Sequence, residues 1–162
     1  MKARSVSKAA QKTAMVRDVH AASLLGGASV LGVAVTSPLE VHEMILRGMP
    51  REALRSLTTH SRLLANRVTL AKAVGISVRT VHRHKNAPEK PLSQEQSERI
   101  WMYAEIFAQA IRVFGAEDAA DAWLQTPAMG LNQRSPIDLM ATAAGAGIVK
   151  TFLTRLEYGV YT

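Results

Sequence analysis

Apolar residues recur with the spacing of a helix along nearly the whole chain, and no segment shows the strict alternation of a half-buried strand. Ser37-Pro38-Leu39-Glu40 opens the first clear element: Ser37 is placed to cap, Pro38 suits the first helical position, and Glu40 completes a capping box. Val41, Met44 and Ile45 then share one face. Gly48 ends that helix, and Pro50 opens another through Leu54 and Leu57. Ser93-Gln94-Glu95-Gln96 repeats the capping-box pattern and starts the longest helix, which ends near Gly115. Ile100, Ala104, Phe107, Ile111 and Phe114 form its apolar stripe, which reads as core. Glu117 to Gln125 makes a short helix stopped by Pro127, with Trp123 and Leu124 turned inward. Glu117, Asp118 and Asp121 fall near its start, where carboxylates suit the helix dipole. Ser135-Pro136-Ile137-Asp138 starts a further helix. After Gly145 and Gly147 a last one covers 148–158, with Ile148, Phe152, Leu153 and Leu156 on its face and Gly159 as its breaker. The pattern predicts an all-α chain.

The ends of this pattern differ from its middle. Residues 1–20 are polar and basic and read as a flexible arm. Residues 21–35 (AASLLGGASVLGVAV) are apolar and Gly-rich, too short to span a bilayer. A basic stretch before an apolar one is also how a signal peptide begins, but Asp18, His20 and the want of a clean small-residue cleavage site argue against that. The segment is expected to pack as a short helix or strand on the domain behind it. Ala87-Pro88-Glu89-Lys90-Pro91 reads as a linker.

Charge changes the picture at that linker. Residues 1–90 hold 15 Lys and Arg against 5 Asp and Glu, whereas residues 91–162 hold 5 against 8. A basic half and a slightly acidic half suggest two jobs, one of them facing phosphate. At 162 residues and 48% hydrophobic content the chain can build a core. The absence of Cys excludes disulfides, Cys-ligated zinc, iron–sulfur clusters and thiol nucleophiles, and with no sign of secretion a reducing cytoplasm is expected. An aromatic content of 5% argues against a single-strand binder that stacks bases on rings.

The most informative stretch runs from Leu70 to Arg83 and has the spacing of a helix-turn-helix. Ala71 is small where two helices cross, Gly75 stands where the turn needs positive φ, and Leu70, Val74, Ile76 and Val81 fall at core positions. Ser77 can cap the second helix, which would present Val78, Arg79, His82, Arg83 and Lys85 outward. The candidate DNA-binding set is Ser77, Arg79, Thr80, His82, Arg83 and Lys85, since Arg and Lys neutralise phosphates and Arg also reads guanine edges. A helical pair with a merely solvated basic face, or a helix-turn-helix kept for packing, are the plainer readings. His82 and His84 lie two apart and point to different faces, so a two-His metal site is not expected.

No active site assembles. Gly27 and Gly32 have the spacing of a phosphate loop, but Val33-Ala34 follow where Lys and Ser or Thr are required. Gly145-Ala146-Gly147 lacks a third glycine, and no Gly-x-Ser-x-Gly elbow occurs. No catalytic residue, metal ligand or cofactor is expected. The chain instead ends in Arg155-Leu156-Glu157-Tyr158-Gly159-Val160-Tyr161-Thr162, whose tyrosines suit a protein interface.

Taken together, Gly75-Ile76-Ser77 with Arg79-Thr80, Leu92-Ser93 with Glu95-Gln96-Ser97-Glu98-Arg99, Val113-Phe114-Gly115, Ala122-Trp123-Leu124 with Pro127, Pro136 with Asp138-Leu139, and the closing Arg155 with Glu157 to Tyr161 resemble the Xre-type antitoxins of RES–Xre (Xre/MbcA/ParS-like) toxin–antitoxin modules. The likeness runs from about residue 37 to the end. It departs at Val78, apolar where a polar residue is commoner, and at Gln133, where the loop before Ser135-Pro136 often has Gly.

Behind the arm over 1–36, which the resemblance does not cover, it implies a helix-turn-helix domain and linker over 37–91 and a helical toxin-binding domain over 92–162. It implies an antitoxin without enzymatic activity that covers the active site of a RES-domain, NAD-consuming toxin and represses its own operon. The partners would be that toxin and operator DNA, in a homodimer or a higher toxin–antitoxin assembly, with no membrane. Glu157, Tyr158, Gly159, Val160 and Tyr161 would reach the toxin, and Trp123, Arg134 and Ser135 would shape that surface. The alternative is a stand-alone helix-turn-helix transcription regulator whose second half only dimerises.

Overall fold

A computed structural model describes residues 15–16, 18–77, 79 and 90–159. Its helices include α1 (Gly27–Leu31), α2 (Pro38–Arg47), α3 (Arg51–His60), α4 (Arg67–Val74), α5 (Gln94–Phe114), α6 (Glu117–Gln125), α7 (Pro136–Leu139) and α8 (Ala143–Glu157), with 3-10 turns at Arg62–Ala65 and Met129–Leu131. Among the described residues the only β pairing is an isolated antiparallel bridge between Ala128 and Arg134.

The two capping boxes form as the sequence reading expects. Ser37 accepts from the Glu40 amide while the Glu40 carboxylate accepts from the amides of Thr36 and Ser37. Those hydrogen bonds, led by Thr36, hold the Glu40 carboxyl below its usual range. Ser93 and Gln96 make the same reciprocal pair at the start of α5. Gly48 and Gly115 end α2 and α5 in positive-φ conformations.

Helix α5 is the spine. Helices α2 and α4 pack on one part of it, α6 and α8 on another. Its burial is therefore wider than a single stripe: Ile100, Ala104 and Phe107 are fully buried, but so are Tyr103, Ile106 and Ala110, while Ile111 and Phe114 are only half-buried. A helix wrapped by neighbours must be apolar on more than one face. Buried Ser97 belongs to this seam, accepting from the Met49 amide at 2.8 Å and so tying the α2–α3 connection to α5.

The Gly-rich segment packs on the core. Residues 18–24 are helical, Ala21, Ala22, Leu24, Leu25, Leu31 and Val35 are buried, and the Ser56 hydroxyl of α3 donates to the Leu24 carbonyl at 3.0 Å. The last helix differs from expectation. It begins at Ala143, with Thr142 accepting from the Gly145 amide, so Gly145 and Gly147 lie inside it. A close approach accounts for Gly145, where a Cβ would stand 2.0 Å from the Leu139 carbonyl oxygen of α7; Gly147 faces open space. Its buried face is set by Ala146, Val149 and Leu153, and Ile148 is left 53% exposed. No helix among the described residues is long and apolar enough to cross a membrane.

Candidate functional site

Two surfaces carry the residues singled out from the sequence. At the first, Asn66 caps α4, its side-chain oxygen accepting from the amides of Val68 and Thr69 at 2.9 and 3.2 Å. The helix stops at Gly75, whose φ of +69° is the left-handed turn that the helix-turn-helix spacing calls for. Leu70, Val74 and Ile76 are buried as expected. Ser77 and Arg79 follow on the exposed side, Arg79 in helical conformation. Thr80, His82, Arg83 and Lys85 lie outside the described residues.

The turn is backed from α5. A Cβ on Gly75 would meet Arg99 Nη1 at 2.4 Å, and Arg99 Nη2 donates to the Ala141 carbonyl at 2.8 Å. Lys72 of α4 pairs with Asp138 of α7, and that contact, first among several, holds the Asp138 carboxyl below its usual range. Helix α4 thus leans directly on α7, and its turn reaches the loop between α7 and α8 through Arg99.

The second surface is built around α8. Trp123 lies between Phe114 and Phe152, at centroid distances of 5.2 and 6.3 Å, and is nearly parallel to Phe152. Phe152 continues under Gly130, where a Cβ would fall 2.3 Å from its ring. Beside it runs an open groove of about 490 Å³ lined by Gly130, Ala144, Gly147, Ile148, Phe152 and Arg155 among others. Trp123, the 128–134 loop and α8 therefore form one patch. In that loop Asn132 and Gln133 both take positive φ, 53° and 61°, which accounts for glycine suiting the Gln133 position. The Arg134 side chain is exposed, whereas Ser135 is 8% exposed and offers little surface.

At the end of α8, Glu157 is turned back onto α5. Its Oε1 accepts from Arg112 Nε and its Oε2 from Gln109 Nε2, both at 3.3 Å. Tyr158 is 62% exposed and Gly159 has a φ of +66°. Val160 and Tyr161 lie outside the described residues.

One polar cluster escaped the sequence reading. Asp121, expected to serve the α6 dipole, is buried: Ser61 Oγ donates to its Oδ1 at 2.6 Å, and the Leu63 amide donates to its Oδ2 at 3.3 Å. Ser61 Oγ also lies 2.8 Å from the Tyr103 hydroxyl, whose pKa is pushed up chiefly by burial. The signal was available in the spacing, since Asp121 sits between core positions Ala120 and Leu124. Nearby, His60 Nδ1 lies 2.7 Å from Glu117 Oε1 and Arg62 pairs with Asp118 at 3.3 Å, so four contacts tie the end of α3 and the α3–α4 connection to α6. No group of three or more His, Asp or Glu among the described residues is arranged to hold a metal.

This geometry defines a class: a helical protein in which a helix followed by a helix-turn-helix type of turn, and a second helical unit whose last helix ends in an exposed Tyr158, share one long helix. Comparison with known proteins gives the family. Residues 40–105 match the antitoxin Xre-like helix-turn-helix domain, and residues 109–159 match the antitoxin Xre/MbcA/ParS C-terminal toxin-binding domain. The chain belongs to the Xre-type antitoxin family.

Its relatives include the antitoxin Xre of Yersinia enterocolitica, 34% identical over 94 residues, covering 57% of this chain and 63% of that protein. The Prs ADP-ribosylating antitoxin of a Sphingobium species is 28% identical over 134 residues, covering 77% and 82%. The antitoxin Xre of Pseudomonas putida is 26% identical over 125 residues, covering 77% and 76%. The chain thus spans a little under two thirds of the Yersinia protein's length. Neither matched domain is a catalytic one.

Proposed function

We propose that this chain neutralises a cognate toxin by laying its C-terminal segment over the toxin's active site, and represses its own operon through the helix-turn-helix. The observation that carries this reading is the pairing of the two matched domains with an exposed tyrosine directly after α8. Inhibition of this kind is steric and needs no chemistry from the antitoxin. The toxin is a RES-type, NAD-consuming enzyme. The name of the Sphingobium relative, which speaks of ADP-ribosylation, supports an NAD-using target, because that reaction draws its ADP-ribose from NAD.

Residues 37–91 serve the operator, through Ser77, Arg79, Thr80, His82, Arg83 and Lys85. Residues 92–162 serve the toxin, through the 157–161 segment, with Trp123, Arg134 and Ser135 shaping the surface. The working unit is a homodimer or a higher toxin–antitoxin assembly in the cytoplasm. Co-expression with a RES-type toxin from the neighbouring gene tests the first activity: growth should be restored, and the two proteins should co-purify. An operator shift assay tests the second, with Arg79→Ala expected to weaken binding. Failure of both assays would overturn the proposal.

A further inference from the structure

We infer that Arg112 and Gln109 of α5 are positioning residues for toxin binding: they hold the Glu157 carboxylate and thereby fix the direction in which the segment after α8 leaves the domain. The inference rests on the proposed role of that segment. It reassigns Glu157 from a toxin contact to the root of the contact.

Both oxygens of Glu157 are engaged from α5, by Arg112 Nε and by Gln109 Nε2. Gln109, itself 3% exposed, also donates to Thr154 Oγ1 at 2.9 Å, one turn earlier on α8. The last turn of α8 is therefore held at two heights by α5. The turn that follows is closed by backbone hydrogen bonds from Tyr158 N to the Thr154 carbonyl and from Gly159 N to the Leu156 carbonyl, both 3.2 Å. Tyr158 is 62% exposed on leaving it.

Stability is a poor explanation for this arrangement. A carboxylate at a helix C-terminus meets the unfavourable end of the dipole. The Arg112 and Glu157 side chains are only 21% and 24% exposed, so both charges lose much of their hydration. Nη1 and Nη2 of Arg112 are buried without a hydrogen-bond partner among the described residues, a further cost of keeping a guanidinium there. Apolar residues of similar volume would hold α8 against α5 at least as well. The polar latch instead allows one register of α8 on α5 and one placement of Tyr158. A segment held in its binding direction loses less entropy when it docks.

The test uses the full chain and the toxin it protects against. Affinity for that toxin is measured alongside thermal midpoint for Arg112→Met, Gln109→Met, Glu157→Arg, the swap Arg112→Glu with Glu157→Arg, and Tyr158→Ala. Arg112→Met leaves the Glu157 carboxylate without its guanidinium, so it is expected to lower the midpoint while the chain still folds, and to weaken toxin binding by about tenfold or more. The swap should recover most of the affinity that Glu157→Arg loses. Should Arg112→Met fail to fold, Gln109→Met carries the same expectation.

Binding within twofold of the unmodified chain for the folded variants would overturn the inference. So would a swap that folds but binds no better than Glu157→Arg, since Glu157 would then touch the toxin itself. If Tyr158→Ala also binds normally, the proposed role of the segment falls with it. If Tyr158→Ala alone loses binding, only the latch falls.

Discussion

The helix-turn-helix turn and the end of α8 are supported in opposite ways. Behind Gly75 stand Leu70, Ala73, Val74 and Ile76, all buried, and the Arg99 side chain pressed against the glycine itself. Behind Tyr158 stands a polar latch of Glu157, Arg112 and Gln109. The first support is steric and changes in steps, because close-packed atoms have nowhere to go. The second is electrostatic and can be weakened gradually by charge, salt or partner. A turn proposed to face DNA has one geometry to keep, whereas a segment proposed to dock on another protein gains from a root that can be tuned.

The contrast can be broken most strongly at Asp121, which serves both halves. Asp121→Ala strands the Leu63 amide and removes an acceptor from Ser61, and should cost about 2–3 kcal/mol. In a denaturant melt both halves should lose stability in one shared transition. Two separated transitions would show that the halves are independent. Gly75→Ala should cost about 1–2 kcal/mol, from the left-handed backbone and the contact with Arg99. Operator affinity should fall with it, while toxin affinity stays near that of the unmodified chain.

A smaller effect is expected from acid. The Asp138 carboxyl is held low by Lys72, so the contribution of this pair is present above the ordinary carboxylate range and lost as pH falls through the lowered value. Asp138→Asn should flatten that part of the pH dependence of the denaturation midpoint. Both side chains are about half exposed, which keeps the change modest. Gln133→Gly should give the least, a gain below about 1 kcal/mol, because the relief of positive φ is partly offset by glycine's greater freedom when unfolded. A midpoint lowered by this substitution would mean that the Gln133 side chain holds the loop.

What was legible in the sequence was mostly local. Both capping boxes, the stop at Gly115 and the turn at Gly75 are decided by residues within a few positions of each other, and each formed as expected. What was misjudged depended on distant neighbours. Gly145 reads as a breaker until α7 is seen pressing on it. Asp121 reads as a dipole partner until Ser61, sixty residues earlier in sequence, is seen beneath it. Glu157 reads as a contact because its position in the terminal motif is visible and its partners on α5 are not. The width of the buried surface on α5 was hidden for the same reason: periodicity reports one face, and the spine of a bundle has several.

The most direct measurement is removal of residues 157–162 from the full chain, followed by protection of toxin-expressing cells and operator binding with the same protein. Protection should be lost while operator binding is unchanged. Full protection by the shortened chain would contradict this expectation.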